Sequence, residues 1–124
     1  LTNRVAHGKN LGTSAIGFPT VNLHIPEGVI IPAFGVYTTQ VHFGGASYAA
    51  VTNVGVRPTV RDNDGRVTVE GFILDFNGDL YGQTIRMEFF QRLRGERKFD
   101  SFQALSAEIA RNAQQTRTYF QEKF

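Results

Sequence analysis

Two oxygen-bearing side chains set two residues apart give this sequence its most pointed chemistry. Thr20 and Asn22 lie in the run Gly17-Phe18-Pro19-Thr20-Val21-Asn22. A glycine permits close backbone approach and a proline fixes φ at about −65°. On an extended backbone residues i and i+2 point the same way, so the hydroxyl and the amide are aligned on a rigid platform. Phosphates and hard cations such as Mg²⁺ take oxygen ligands of this kind from a preorganised backbone. A plain turn entering a strand carries the same local signature, so the run needs support from elsewhere.

A carboxylate supplies some. Val67 to Phe76 (VTVEGFILDF) reads as a strand in which Glu70 shares a face with Thr68, Phe72, Leu74 and Phe76, while Val67, Val69, Gly71 and Ile73 take the other. Both faces are largely apolar. A carboxylate among such neighbours is desolvated, is expected to titrate above its usual range, and calls for a partner or a chemical task. Ahead of the platform, Gly8 to Gly17 (GKNLGTSAIG) is rich in glycine and small polar residues. Its free N–H groups suit a flap over a phosphate chain, although a simple connection has the same composition. It lacks the Gly-Lys-Ser/Thr of a Walker A loop. Arg92, Arg94, Arg97 and Lys98 crowd into seven residues, a cluster equally at home facing a ligand or facing solvent.

The elements that must position these groups are mostly strands. Residues 2–7 alternate weakly, Val21 to Ile25 continue the platform, and Gly35 to Phe43 is a long β-type run. Gly44-Gly45 turns that run into Ala46 to Val54 as a hairpin. Asn77-Gly78 is a type I′ turn signal leading through Asp79 to Gly82 into Thr84 to Gln91 as the last strand. The period then changes: Phe102, Leu105, Ile109, Thr116, Tyr119 and Phe120 fall on one helical stripe, and Asp100 with Gln103 resembles a capping box. About six strands without intervening helices, followed by one long helix, argue for a mainly β antiparallel barrel or sandwich. Tyr37 and Tyr81 are assigned to its core. Asp62-Asn63-Asp64-Gly65 lacks the later acidic ligand of a calcium loop, and His7, His24 and His42 lack metal-ligand spacing, so they are read as structural or surface residues.

Composition narrows the classes. The chain has 124 residues, enough for one domain with a true core, and no cysteine, which excludes a disulfide frame and a thiolate zinc site. A net charge of +2 tolerates anionic ligands without demanding nucleic acid. No apolar run approaches the roughly 18 residues of a membrane span and no signal segment opens the chain, so a cytoplasmic setting without membrane or nucleic-acid partners is expected. Leu1 stands where Met would begin a chain, which fits a piece of a longer polypeptide.

Seven stretches now fall in order: VAHG at 5–8, GFPTVN at 17–22, GVY at 35–37, TNVGVRPT at 52–59, VEGFILDF at 69–76, DLYG at 79–82 and LRGERKFDSFQAL at 93–105. Together they resemble the riboflavin kinase family, whose flavokinase module stands alone in eukaryotes and forms the C-terminal half of bifunctional FAD synthetases in bacteria. The resemblance covers roughly residues 4 to 113. It implies a six-stranded antiparallel Greek-key barrel with a long C-terminal α-helix, a single kinase domain over 1–124. The implied reaction is transfer of the ATP γ-phosphate to the ribityl 5′-hydroxyl of riboflavin, giving FMN and ADP with Mg²⁺. Glu70 would be the catalytic base, and Thr20 and Asn22 would contact the metal and phosphates. Gly8, Gly12, Gly17, Phe18 and Pro19 would belong to the nucleotide-binding flap and turn, and Arg94 and Phe99 to the segment closing over the flavin. A covalently linked FMN adenylyltransferase domain would lie N-terminal to this chain.

The match departs in two places. The flap usually carries a basic residue just before its turn, where Thr13, Ser14 and Ala15 stand here, leaving Lys9. An aspartate is usual where Asn112 stands, so a polar tie from helix to barrel is not secured by that position. Two competing readings are a flavin-binding regulatory module with weak turnover, prompted by the altered flap, and a nucleic-acid-binding barrel. The second would interleave Lys and Arg with aromatics along exposed strands, whereas here the basic residues bunch before the helix.

Overall fold

A computed structural model describes residues 1–5, 18–25, 28–56 and 67–123. The flap with Gly8, Gly12 and Gly17, as well as His7, Arg57 and the 62–65 loop, lies outside them. The elements are β1 (Thr2–Arg4), β2 (Thr20–His24), β3 (Gly35–Phe43), β4 (Ala46–Val56), β5 (Val67–Ile73), β6 (Thr84–Arg94) and α1 (Phe102–Lys123). The strands form one antiparallel sheet in the order β1-β6-β3-β4-β5-β2. The sheet curls until its edges nearly meet, and the Asn3 side-chain amide on β1 donates to the His24 carbonyl on β2 at 3.0 Å. The expected barrel with a C-terminal helix is therefore the observed architecture.

Alternation along each strand separates two apolar clusters. Inside the barrel lie Val21, Leu23, Tyr37, Val41, Ala50, Val54, Val69, Ile73, Ile85 and Met87. Outside, Val36, Val51, Phe72 and Leu74 meet Ile109 and Ala113 of α1, so the helix dries one patch of the outer wall. Thr38 of β3 and Thr116 of α1, both fully buried, share a hydrogen bond of 3.0 Å across that contact. Two register shifts in the β3–β6 ladder, at Val36/Tyr37 and Thr38/Thr39, pass over Phe90 and Leu93 of β6. Bulges of this kind re-aim side chains. Phe90 turns to Tyr119 and Phe120 of the helix, and Leu93 joins the outer cluster.

Several local expectations are corrected. β5 stops at Ile73, and Asp75 takes φ 57°, which breaks the alternation. Phe76 accordingly leaves the Glu70 face and packs against Phe43 and Tyr48 at ring separations of 5.8 and 4.9 Å. Asn77-Gly78 closes no hairpin, because β5 and β6 are not neighbours in the sheet, and Asn77 lacks the positive φ that a type I′ turn requires. The connection instead carries the chain from β5 to the other side of the barrel. The helix cap is Ser101, whose Oγ accepts from the Ala104 amide at 3.1 Å, so Asp100 and Gln103 form no capping box. Tyr37 is buried as expected, but Tyr81 is 51% exposed, and Phe102 is off the buried helix stripe at 42%. Asn112 takes a place on that stripe.

Candidate active site

Phe18 is partly buried against the outer cluster, and the Pro19 carbonyl accepts from Ile73 N at 2.8 Å, which anchors the turn to β5. From there β2 runs antiparallel to β5 with Thr20 opposite Phe72, Val21 opposite Gly71 and Asn22 opposite Glu70. Directly opposed residues share a face, with Cβ atoms about 4.5–5.5 Å apart. Val21 and Leu23 point into the barrel, so Thr20, Asn22 and Glu70 stand together on its outer wall. The barrel interior is closely packed behind Gly71, the neighbour of Glu70. A Cβ on Gly71 would lie 3.1 Å from Val21 Cγ2 and 3.2 Å from both Met87 Cε and Thr52 Oγ1.

On the other flank of β5, Asn53 of β4 stands opposite Glu70, and the same row continues through Val36 to Arg94 of β6. The row thus reads Asn22, Glu70, Asn53, Val36, Arg94 across five strands, with a half-buried carboxylate between two amides. Glu70 and Arg94 are three strand spacings apart, roughly 14 Å along the sheet. A molecule reaching both must be elongated.

Beyond Arg94 the chain folds back over this wall. Glu96 lays its carboxylate on Gly55, where a Cβ could not be accommodated without displacing it. Gly55 is opposite Thr68, two positions along from the Asn53 and Glu70 pair, so Glu96 is a second carboxylate near the row. The Arg94 and Arg97 guanidinium carbons sit 5.4 and 5.0 Å from the centroid of the Phe99 ring, within cation–π range. Arg94 Nε lies 3.2 Å from Asn112 Oδ1 and 3.2 Å from Glu108 Oε2 on the helix. Glu108 also meets Arg111 at 2.8 Å and Arg97 at 3.7 Å. Hydrogen bonds from Arg111 hold the Glu108 carboxyl below the usual carboxylate range, with Asn112 and the Arg94 charge assisting against the opposing effect of burial. Burial lowers the Arg94 guanidinium, and Glu108 offsets part of that.

The sequence-predicted residues therefore divide in two groups. Thr20, Asn22 and Glu70 come together on the β2–β5 pair, Phe18 and Pro19 anchor the turn before it, and Arg94 and Phe99 meet each other at the far end of the row. Asn53, Glu96 and Glu108 were not singled out from sequence. A glycine inside a strand, Gly55, is the signal that marks the close approach of Glu96. The expected weakness at Asn112 is not found: the amide bonds Arg94, and the carboxylate stands one helical turn earlier, on Glu108.

Thr20 and Asn22 are neutral donors, and among the described residues no cluster of three or more His, Cys, Asp or Glu could cage a metal ion. Mg²⁺ prefers one or two protein oxygens completed by substrate phosphates and water, which suits this sparse set. Among the described residues no helix is long and apolar enough to cross a membrane.

Comparison with known proteins agrees with the geometry. The family model described as Flavokinase: Riboflavin kinase matches residues 1–120. The bifunctional riboflavin kinase/FMN adenylyltransferase of Bacillus subtilis is 35% identical over 117 residues, covering 94% of this chain and 37% of that protein. This chain thus spans a little over a third of such a relative. Among solved structures, the riboflavin kinase of Trypanosoma brucei superposes with a TM-score of 0.69 at 26% identity, over 99% of this chain and 80% of that one. A Streptococcus pneumoniae structure named as a macrolide-efflux protein gives a TM-score of 0.81 at 35% identity, over 94% of this chain and 37% of that one. With a barrel of this topology, its opposed carboxylate and amide, and a family match over almost its full length, the chain belongs to the riboflavin kinase family.

Proposed function

We propose that this chain transfers the γ-phosphoryl group of ATP to the terminal ribityl hydroxyl of riboflavin, giving FMN and ADP. The observation that carries the reading is the opposition of Glu70 to Asn22, with Thr20 one pair further along the same face. A primary alcohol is a poor nucleophile at neutral pH. Glu70 accepts its proton as the oxygen–phosphorus bond forms and the bond from the γ-phosphorus to the bridging oxygen of ADP breaks. Thr20 and Asn22 orient the phosphate chain and would hold Mg²⁺ brought by the nucleotide, whose charge would offset that of the departing ADP. Phosphoryl transfer is largely a matter of positioning, so a rigid sheet pair is a suitable support.

The flavin ring lies against Phe99 and the Arg94 side of the row, and its ribityl chain runs towards Glu70. The separation of roughly 14 Å along the sheet suits a ligand with an aromatic body and a polar tail. Gly8, Gly12 and Gly17 are assigned to a nucleotide flap on the strength of the sequence. The bifunctional relatives favour a covalently linked FMN adenylyltransferase portion N-terminal to this chain, consuming the FMN made here, in a cytoplasmic setting.

The test is incubation with riboflavin and MgATP, with chromatographic detection of FMN, beside Glu70→Gln. The expected result is FMN from the unaltered chain and a rate at least about 10²-fold lower in the variant, the lower end for loss of a general base. Equal rates would remove Glu70 from the base role, and flavin binding without turnover would favour a regulatory module.

A further inference from the structure

We propose that Glu108 is a positioning residue for flavin recognition, fixing the Arg94–Arg97–Phe99 segment without touching either substrate. The inference rests on the flavin assignment above and names what holds that end of the site in place. Three arginines converge on this one carboxylate, at 3.2 Å for Arg94, 3.7 Å for Arg97 and 2.8 Å for Arg111. Its side chain is only 10% exposed, against 57% for Arg97 and 60% for Arg111. The helix supplies the carboxylate and Arg111, the last residue of β6 is Arg94, and the loop after it supplies Arg97.

Phe99 has only a loop backbone of its own, since residues 95–99 belong to neither β6 nor α1. Its ring is steadied by the Arg94 and Arg97 guanidinium groups at 5.4 and 5.0 Å. Those groups are in turn oriented by Glu108. Without the carboxylate, Arg94, Arg97 and Arg111 would repel one another, and Arg94 would remain half-buried with the Asn112 amide and the Gly95 carbonyl as its side-chain contacts. Uncompensated charge in such a place is costly, so the segment would move to rehydrate it. The aromatic surface offered to a flavin would move with it, while Thr20 and Asn22, on β2 at the other end of the row, would not.

Asn112 provides a rescue. Its Oδ1 already lies 3.2 Å from Arg94 Nε, so an aspartate there would return a carboxylate to the same arginine from one turn along the helix.

Fluorescence quenching gives riboflavin affinity without requiring turnover, and a non-hydrolysable MgATP analogue is titrated in parallel. Glu108→Gln is expected to weaken riboflavin about tenfold or more while the nucleotide changes less than about twofold, as befits a lost charge-assisted hydrogen bond at one end of the site. The double variant Glu108→Gln with Asn112→Asp is expected to return most of the riboflavin affinity. Unchanged riboflavin affinity in Glu108→Gln, or parallel weakening of both ligands with no rescue, would overturn the proposal. Should that variant fail to fold, Arg97→Gln, at an exposed side chain, is expected to show the same selective loss, and undiminished riboflavin affinity there would overturn it. Riboflavin binding without FMN formation in the unaltered chain would defeat the kinase reading while the affinity ratios still decide the role of Glu108; no riboflavin binding would defeat both.

Discussion

Asn22 on β2 and Glu70 on β5 are directly opposed in the sheet, on the outer wall of the barrel, with Asn53 of β4 opposite Glu70 from the other side. A carboxylate and two amides thus lie in one row whose spacing is dictated by the ladder. Loops need not hold them there, and this makes the geometry unusually easy to probe.

Asn22→Asp places a second carboxylate about 5 Å from the Glu70 side chain, so the two repel and Glu70 holds its proton to higher pH. The acidic limb of the pH profile for FMN formation should move up accordingly. A limb that stays in place would mean that Glu70 is not the titrating base.

Gly71, next to Glu70, faces inward, where a methyl group would crowd Val21, Met87 and Thr52 at 3.1–3.2 Å and require them to shift. Gly71→Ala should destabilise the barrel by roughly 1–3 kcal/mol through overpacking, outweighing the smaller entropic gain of replacing glycine. Urea unfolding would show a lower midpoint at unchanged slope. A raised midpoint would mean that the interior has room to relax.

The helix is keyed to the barrel by the Thr38–Thr116 hydroxyl pair, both members of which are shut off from water. Thr116→Val should cost about 1–3 kcal/mol, since it strands the Thr38 hydroxyl. Adding Thr38→Val removes the stranded group, so the double variant should be more stable than the sum of the two singles predicts. Strict additivity in a double-mutant cycle would show that the pair is not coupled.

Glu108 titrates below its unfolded value near 4.5 because Arg111 and its neighbours favour the ionised form. A depressed carboxylate contributes stability that is complete above the unfolded pKa and is lost as pH falls through the folded one. The stability advantage of the unaltered chain over Glu108→Gln should therefore be constant above roughly pH 5.5 and shrink only in more acidic solution. Thermal unfolding of both proteins between neutral and acidic pH provides the comparison. An advantage that grows on acidification would reverse the assigned sign.

Local pattern marked the strands well where alternation and turn chemistry coincide. The run Gly35 to Phe43, the Gly44-Gly45 turn and the following strand were readable because a β-hairpin is a nearest-neighbour structure. Asn77-Gly78 misled for the same reason in reverse. A turn signal reports local backbone preference and says nothing of which strands will pair, and here β5 leaves for β4 and β2 while β6 joins β3 and β1. Asp75 hid the end of β5, since a positive φ at a non-glycine residue has no pattern to announce it. The cap moved one residue, from Asp100 to Ser101, within the tolerance of any reading of helix ends.

By itself the sequence determined the mainly β architecture, the closing helix, and the alignment of Thr20 with Asn22, because side-chain direction along one strand follows from residue number alone. That Glu70 belongs beside them was decided only by the register of β2 against β5, which depends on how the whole sheet curls to bury its two apolar clusters. Arg111 is the i+3 neighbour of Glu108 on the helix, but the same holds for Arg94 and Arg97. Their approach depends on the helix docking over the loop after β6, and electrostatic partners brought together by packing leave no periodicity for a linear reading to find.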